Sequence, residues 1–116
     1  MTRILLVDDD PDVRVLMEHV LIGGGYQVDA AATAAAGRML LGRNRYDLVV
    51  TDGVLPDGTG MEVADDAHRR GIRAIIVTAY AFRFPMRELG RYMVLLKPAR
   101  PAELLQAVEG ALSATV

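Results

Sequence analysis

Acidic residues, a threonine and a lysine stand at the ends of short apolar runs in this chain. Asp8 and Asp9 follow the first run, Asp52 ends another, and Thr78 and Lys97 follow two later ones. If these runs are parallel β-strands, their carboxyl ends lie along one edge of a sheet, where open α/β sheets bind ligands. Three carboxylates about 4 Å apart would repel one another by roughly 4 kcal/mol per pair. We therefore expect them to take up a proton or to bind a cation.

The chemistry of these side chains favours Mg²⁺ and phosphate. The chain has no cysteine, and a ligand set of carboxylate oxygens suits a hard cation that keeps several waters. Such an ion can also coordinate phosphate oxygens, with Lys97 as a point charge and Thr78 as a hydroxyl donor. Phosphoryl transfer depends mainly on positioning and charge neutralisation. In this interpretation Asp52 is the nucleophile and forms an aspartyl phosphate.

Each of these residues also has a purely structural alternative. Asp8 and Asp9 can belong to a turn or cap before a helix, and Asp52 can be an ordinary residue between a strand and a loop. Thr78 can satisfy a turn, and an isolated Lys97 is usually solvated. Every other basic side chain is arginine, which agrees with a need for one compact ammonium but also arises by chance. The joint placement at strand ends is what favours the functional interpretation.

The elements that must position these residues alternate between strands and helices. Four runs lack polar alternation and are predicted as strands buried on both faces of a parallel sheet; residues 26–31 alternate weakly and suit an edge strand. The four runs are 4–7, 47–50, 74–77 and 93–96, and helices are predicted over 12–22, 33–42, 60–70 and 101–112. This order predicts one domain over 1–116, a doubly wound α/β fold with right-handed crossovers. Pro85 interrupts the segment before the last strand, so a fourth helix there is expected to be short or irregular, over about 85–89.

Taken together, these features resemble the receiver domain of two-component response regulators, over essentially the whole chain. The resemblance rests on VDDDP at 7–11, YDLVVTD at 46–52, LPDG at 55–58 with Gly60, VTA at 77–79 and LKP at 96–98. It implies a flavodoxin-like five-stranded parallel sheet with strand order 2-1-3-4-5.

The resemblance also implies roles for the metal-binding residues. Asp52 becomes the phosphorylation site, Asp9 a direct Mg²⁺ ligand and Asp8 an acid that orients metal-bound water. A backbone carbonyl of Gly53 or Val54 completes the metal shell, and the family pattern of two residues after the phospho-acceptor selects Val54.

The remaining implied roles concern Thr78 and Lys97. Thr78 supplies the hydroxyl that moves toward the phosphoryl group, and Lys97 is its counter-ion. The family usually has an aromatic ring three residues before this lysine, but here that position is Val94, with Tyr92 two residues earlier. The segment 80–92 is also shorter than in most relatives, so the fourth helix and its approach to the last strand are expected to be remodelled.

Partners and location follow from the same resemblance and from composition. His19 and His68 lack the spacing of a catalytic or metal pair, so the phosphate must come from a histidine kinase, a phosphotransfer protein or a small acyl phosphate. The output is expected to be an altered contact with an unknown protein target, with a homodimer as an option. The net charge of −2 argues against nucleic acid, and no run is long enough for a membrane span, so the expected location is the cytoplasm.

Three readings compete for the function. The first is a phosphorylation-dependent receiver that is not an enzyme beyond its own phosphorylation and dephosphorylation. It is either a stand-alone regulator, which Met1 and the compact end favour, or a receiver excised from a larger protein. The second is a phosphorylation-independent interaction module, and the third a phosphatase-type enzyme with an aspartyl nucleophile. The third needs a second acid two residues after Asp52, where the chain has Val54.

Overall fold

A five-stranded parallel sheet with helices on both faces forms the fold. The computed structural model describes residues 1–79 and 90–113. The sheet strands are β1 (Arg3–Val7), β2 (Gln27–Ala31), β3 (Leu48–Asp52), β6 (Arg73–Thr78) and β7 (Met93–Leu96), with β4 (Val54–Leu55) and β5 (Gly58–Thr59) as a separate antiparallel pair; the helices are α1 (Pro11–Gly23), α2 (Ala34–Arg43), α3 (Gly60–Arg69) and α4 (Pro101–Ser113). The sheet order is β2-β1-β3-β6-β7. This confirms the predicted fold class and the order 2-1-3-4-5, with β2 at an edge.

The central strands supply apolar side chains to two cores, one on each face of the sheet. Leu5 and Val49 face the core that includes residues of α2 and α3, whereas Leu6 and Val50 face the core with α1 and α4. This follows because successive side chains of a strand point to opposite faces. All four are fully buried, and burying each such side chain stabilises the fold by about 1.5–3 kcal/mol. The cores hold the carboxyl ends of the strands in register.

The last strand differs from the prediction. Burial on both faces is confirmed for β1, β3 and β6, but it is wrong for β7, where Met93 is 42% and Leu96 62% exposed. β7 is the final strand of the sheet and, within the described residues, pairs with β6 alone. Strands at a sheet edge are covered less completely than central ones, although their sequences can be equally apolar.

The β4–β5 hairpin directly after β3 was not predicted from the sequence. The expected short helix over 85–89 lies outside the described residues. Among the residues that the structure covers, no helix is long and apolar enough to cross a membrane.

At the amino-terminal edge of the sheet, Tyr46 is part of a polar network. Its hydroxyl donates to Asp29 Oδ2 at 2.8 Å, and the same oxygen accepts from Arg3 Nε at 2.9 Å. Burial, followed by the hydrogen bond to the Asp29 carboxylate, raises the pKa of Tyr46 to about 12. The folded state therefore favours the protonated phenol more strongly than the unfolded state does.

We expect this network to make stability depend on alkaline pH. A phenol whose folded-state pKa is raised contributes stability that is present below pH 10 and is lost as pH rises toward 12. The loss should be about 2 kcal/mol. Urea unfolding measured between pH 9 and 11.5 should show a smaller fall in the free energy of unfolding for Tyr46→Phe than for the unchanged protein. Equal slopes would contradict this account.

Candidate functional site

The carboxyl ends of the strands bring the predicted site residues to one edge of the sheet. Asp8 directly follows β1, and Asp52 is the last residue of β3. Thr78 is the last residue of β6, and Lys97 directly follows β7. Their positions follow from the register of four adjacent parallel strands, because each strand ends at about the same level.

Three carboxylates form the centre of the site. One oxygen each of Asp8, Asp9 and Asp52 lies within 4.8 Å of the others. Asp9 is exposed, whereas Asp8 is buried and the Asp52 side chain is 11% exposed. Lys97 Nζ donates to Asp8 Oδ2 at 2.9 Å and to Asp52 Oδ2 at 3.1 Å. The ammonium therefore bridges the two less exposed acids.

Burial and charge act in opposite directions on this group. Burial raises the pKa of Asp52 and the Asp8 charge adds to the rise, while the hydrogen bond and charge of Lys97 offset it only in part. Burial also disfavours the Lys97 ammonium, but its hydrogen bonds and charge interactions with Asp8 and Asp52 outweigh this and raise its pKa. The lysine thus stays charged at neutral pH. The carboxylates are left with more negative charge than one ammonium neutralises, which suits a cation.

The donor set fits Mg²⁺. All side-chain donors are carboxylate oxygens, and the exposure of Asp9 leaves one side of the cluster open to water and to phosphate. Val54, the predicted backbone ligand, begins β4 and is half-buried. Its N–H donates to Asp52 Oδ1 over a long 3.5 Å. Val54 is therefore in direct contact with the acid cluster.

The start of α3 packs against the end of β3. The Gly60 N–H donates to the Gly53 carbonyl at 3.0 Å. A Cβ at Gly60 would lie 1.9 Å from the Asp52 carbonyl oxygen. Only glycine permits this approach, so Gly60 sets the backbone position of Asp52.

The positions that depart from the family pattern are also visible. Val94 is partly buried in β7 and packs against the core on the α2 and α3 side. Tyr92 precedes β7, and its hydroxyl donates to Asp65 on α3, which also accepts from Arg91 at 3.3 Å. Because Tyr92 and Lys97 lie at opposite ends of β7, Tyr92 is outside the acidic crevice. It does not replace the missing ring at Val94.

Sequence reasoning missed two supporting residues. Arg14 on α1 donates from Nη1 to the Asp8 carbonyl at 2.9 Å, which helps to orient the end of β1. Asp57, in the β4–β5 turn, binds backbone amides at the start of α2. Arg14 has no distinguishing signal beyond its place on the first helix. Asp57 lies within the LPDG stretch, but its partners are distant in sequence.

The comparisons with known proteins agree with this geometry. Residues 4–109 match the family described as the response regulator receiver domain. The transcriptional regulatory protein GlrR of Escherichia coli K12 is 32% identical over 95% of this chain, and the response regulator protein PilR of Pseudomonas aeruginosa is 31% identical over 95%. The chain spans 26% of the length of each of these relatives.

Solved structures show the same fold. A CheY-like response regulator receiver domain protein from Methanospirillum hungatei is 32% identical, with a TM-score of 0.86, over 97% of this chain and 94% of that one. The response regulator TrrA of Thermotoga maritima, solved in complex with Mg²⁺-BeF, is 30% identical, with a TM-score of 0.88, over 97% and 100%. The chain is therefore a CheY-like member of the response regulator receiver domain family of two-component systems.

Proposed function

We propose that Asp52 accepts a phosphoryl group from a partner histidine kinase or phosphotransfer protein in a Mg²⁺-dependent reaction. The observation that carries the proposal is the Lys97 ammonium held between the carboxylates of Asp8 and Asp52, with Asp9 exposed beside them. The candidate nucleophile, its candidate counter-ion and the candidate cation ligands lie in one crevice, and this supports the proposal. The Mg²⁺ complex of TrrA supports the choice of metal.

In this mechanism the protein mainly positions charge. Asp8, Asp9, Asp52 and the Val54 carbonyl would hold Mg²⁺, which when bound neutralises phosphoryl oxygens. A carboxylate oxygen of Asp52 attacks phosphorus, and the bond from phosphorus to the donor's histidine nitrogen breaks with its electron pair on nitrogen.

Lys97 and Thr78 act on the product. The ammonium of Lys97 pairs with a phosphoryl oxygen. Lys97 thereby exchanges part of its contact with the Asp52 carboxylate for a contact with the new phosphate. The hydroxyl of Thr78, at the buried end of β6, donates to another phosphoryl oxygen.

The proposed activity is that of a signalling domain, with no separate substrate turned over. An aspartyl phosphatase needs a second acid two residues after the nucleophile, and Val54 cannot supply a proton. The downstream protein target and a homodimer remain predictions. Because Val94 has no ring to move, we expect the read-out to use contacts other than an aromatic rotation at that position.

Phosphorylation can be tested directly. The protein is incubated with Mg²⁺ and acetyl phosphate, and its intact mass is measured after acid and after base. We expect a gain of one phosphoryl group that is stable in acid, labile in base and absent from Asp52→Asn or after removal of Mg²⁺ with EDTA. Glu109→Gln, a change of an exposed acid on α4, should behave like the unchanged protein.

The alternatives give different results in the same experiment. No adduct with acetyl phosphate or with a cognate kinase would favour a phosphorylation-independent interaction module. Release of many phosphates per protein molecule from a small donor would favour an enzyme.

A further inference from the structure

Asp57 connects the β4–β5 turn to the first turn of α2. Its Oδ1 accepts from the Ala34 N–H at 2.8 Å, and its Oδ2 accepts from the Ala35 N–H at 2.9 Å. The next amide, Ala36, donates to the Thr33 hydroxyl at 3.0 Å. The hydrogen bonds from Ala35 and Ala34 lower the pKa of Asp57, so its carboxylate is charged at neutral pH. A two-oxygen contact of this kind fixes the orientation of the side chain as well as its position.

The helix at one end of this contact is firmly placed. Gly37 of α2 packs so closely on β1 that an added Cβ would lie 2.8 Å from Val7 Cγ2. Farther along the helix, Arg38 Nε is 3.4 Å from Asp66 Oδ2 on α3. Leu41 of α2 is buried in the core between the sheet and α2 and α3. The first turn of α2, whose amides bind the Asp57 carboxylate, is therefore held in place by the packing of the helix.

The hairpin at the other end leads directly to the phosphorylation site. β4 begins at Val54, two residues after Asp52, and pairs with β5 through Val54 and Thr59. The hydrogen bond from the Gly60 N–H to the Gly53 carbonyl closes the base of the hairpin. At its tip, the Asp57 carboxylate binds the first amides of α2. These two attachments determine where the Val54 backbone lies relative to the acids.

We propose that Asp57 is a positioning residue for the metal site, because its bonds to α2 hold the β4–β5 hairpin so that the Val54 backbone stays beside the Asp52 carboxylate. This inference rests on the proposed function and extends it to a residue outside the crevice. A residue that only capped α2 would affect the stability of that helix and leave the metal site unchanged. A positioning residue affects both the hairpin and Mg²⁺ affinity.

Thr33 offers a matched control, because its hydroxyl caps the same helix through the Ala36 N–H and, among the described residues, has no hydrogen bond to the hairpin. Mg²⁺ is titrated into the full chain and into Asp57→Ala, Asp57→Asn and Thr33→Ala, with backbone amide signals followed by NMR. We expect Asp57→Ala to weaken Mg²⁺ binding by about 10-fold, as for other residues that orient metal ligands. In the metal-free protein it should also shift the amide signals of Gly53 and Val54. Asp57→Asn, which keeps one acceptor oxygen, should give a smaller effect, and Thr33→Ala should change neither measurement.

Two results would overturn the positioning role. One is wild-type Mg²⁺ affinity and unshifted Val54 signals in Asp57→Ala; the other is an equal loss of Mg²⁺ affinity in Thr33→Ala. In both cases Mg²⁺ binding and phosphorylation of the unchanged protein would leave the proposed function intact. An unchanged protein that neither binds Mg²⁺ nor gains a phosphoryl group would overturn both proposals.

Discussion

Gly60→Ala is expected to lower the free energy of unfolding more than any surface change would. The new Cβ would lie 1.9 Å from the Asp52 carbonyl oxygen and 2.8 Å from its carbonyl carbon. These are backbone atoms, so they cannot rotate away as a side chain could. The start of α3 would have to move off β3, which breaks the bond from Gly60 to Gly53. Overpacking usually costs about 1–3 kcal/mol, and we expect at least the upper end here, measured by urea unfolding followed by circular dichroism.

Gly110 provides the control for the change from glycine to alanine. It is exposed on α4, and no heavy atom lies within 4 Å of where its Cβ would be. Gly110→Ala should therefore stabilise the protein by about 0.5–1 kcal/mol, since alanine favours a helix interior. A Gly60→Ala protein as stable as the unchanged one would show that the contact between α3 and β3 is not as close as the structure indicates.

Lys97→Met is expected to destabilise the metal-free protein strongly. The lysine side chain is 21% exposed and bridges Asp8, which is 1% exposed, to Asp52. Its removal leaves two poorly solvated carboxylates close together without a cation. Removing one partner of such a pair costs about 3 kcal/mol. Thermal and urea unfolding in EDTA would measure the loss.

Added Mg²⁺ should reverse much of this loss. A cation that binds the folded state alone stabilises it by an amount that grows with the logarithm of its concentration above its Kd, and the variant has no ammonium competing for Asp8 and Asp52. The increase in melting temperature from EDTA to excess Mg²⁺ should therefore be larger for Lys97→Met than for the unchanged protein. Arg100→Met, which removes a cation whose side chain is 86% exposed, should change stability by less than about 0.5 kcal/mol. If Lys97→Met lowered the melting temperature equally in EDTA and in excess Mg²⁺, the idea that Lys97 and Mg²⁺ compete for Asp8 and Asp52 would be contradicted.

Most of the sheet could be predicted because its central strands are buried on both faces. A strand such as residues 4–7 must be apolar throughout to contact helices on each side, and this leaves a clear pattern. The last strand has the same pattern, yet its exposure depends on having only β6 as a neighbour among the described residues. The β4–β5 hairpin has only two residues in each strand, too few for any period to appear.

The sequence by itself determined the kind of site. The carboxyl ends of parallel strands share one edge of a sheet, whatever the detailed packing. This edge therefore brings together Asp8, Asp9, Asp52, Thr78 and Lys97. Their residue types were enough to indicate a hard cation and phosphate.

Only the tertiary structure decided how the site is held. Three contacts depend on three-dimensional distances. Lys97 bridges Asp8 and Asp52, and Gly60 packs against the Asp52 carbonyl. Asp57 caps a helix that begins 23 residues earlier in the chain. Such contacts carry no sequence period, since each joins residues brought together by the packing of separate elements. Sequence order specifies which groups reach the edge of the sheet, and packing specifies which of them touch.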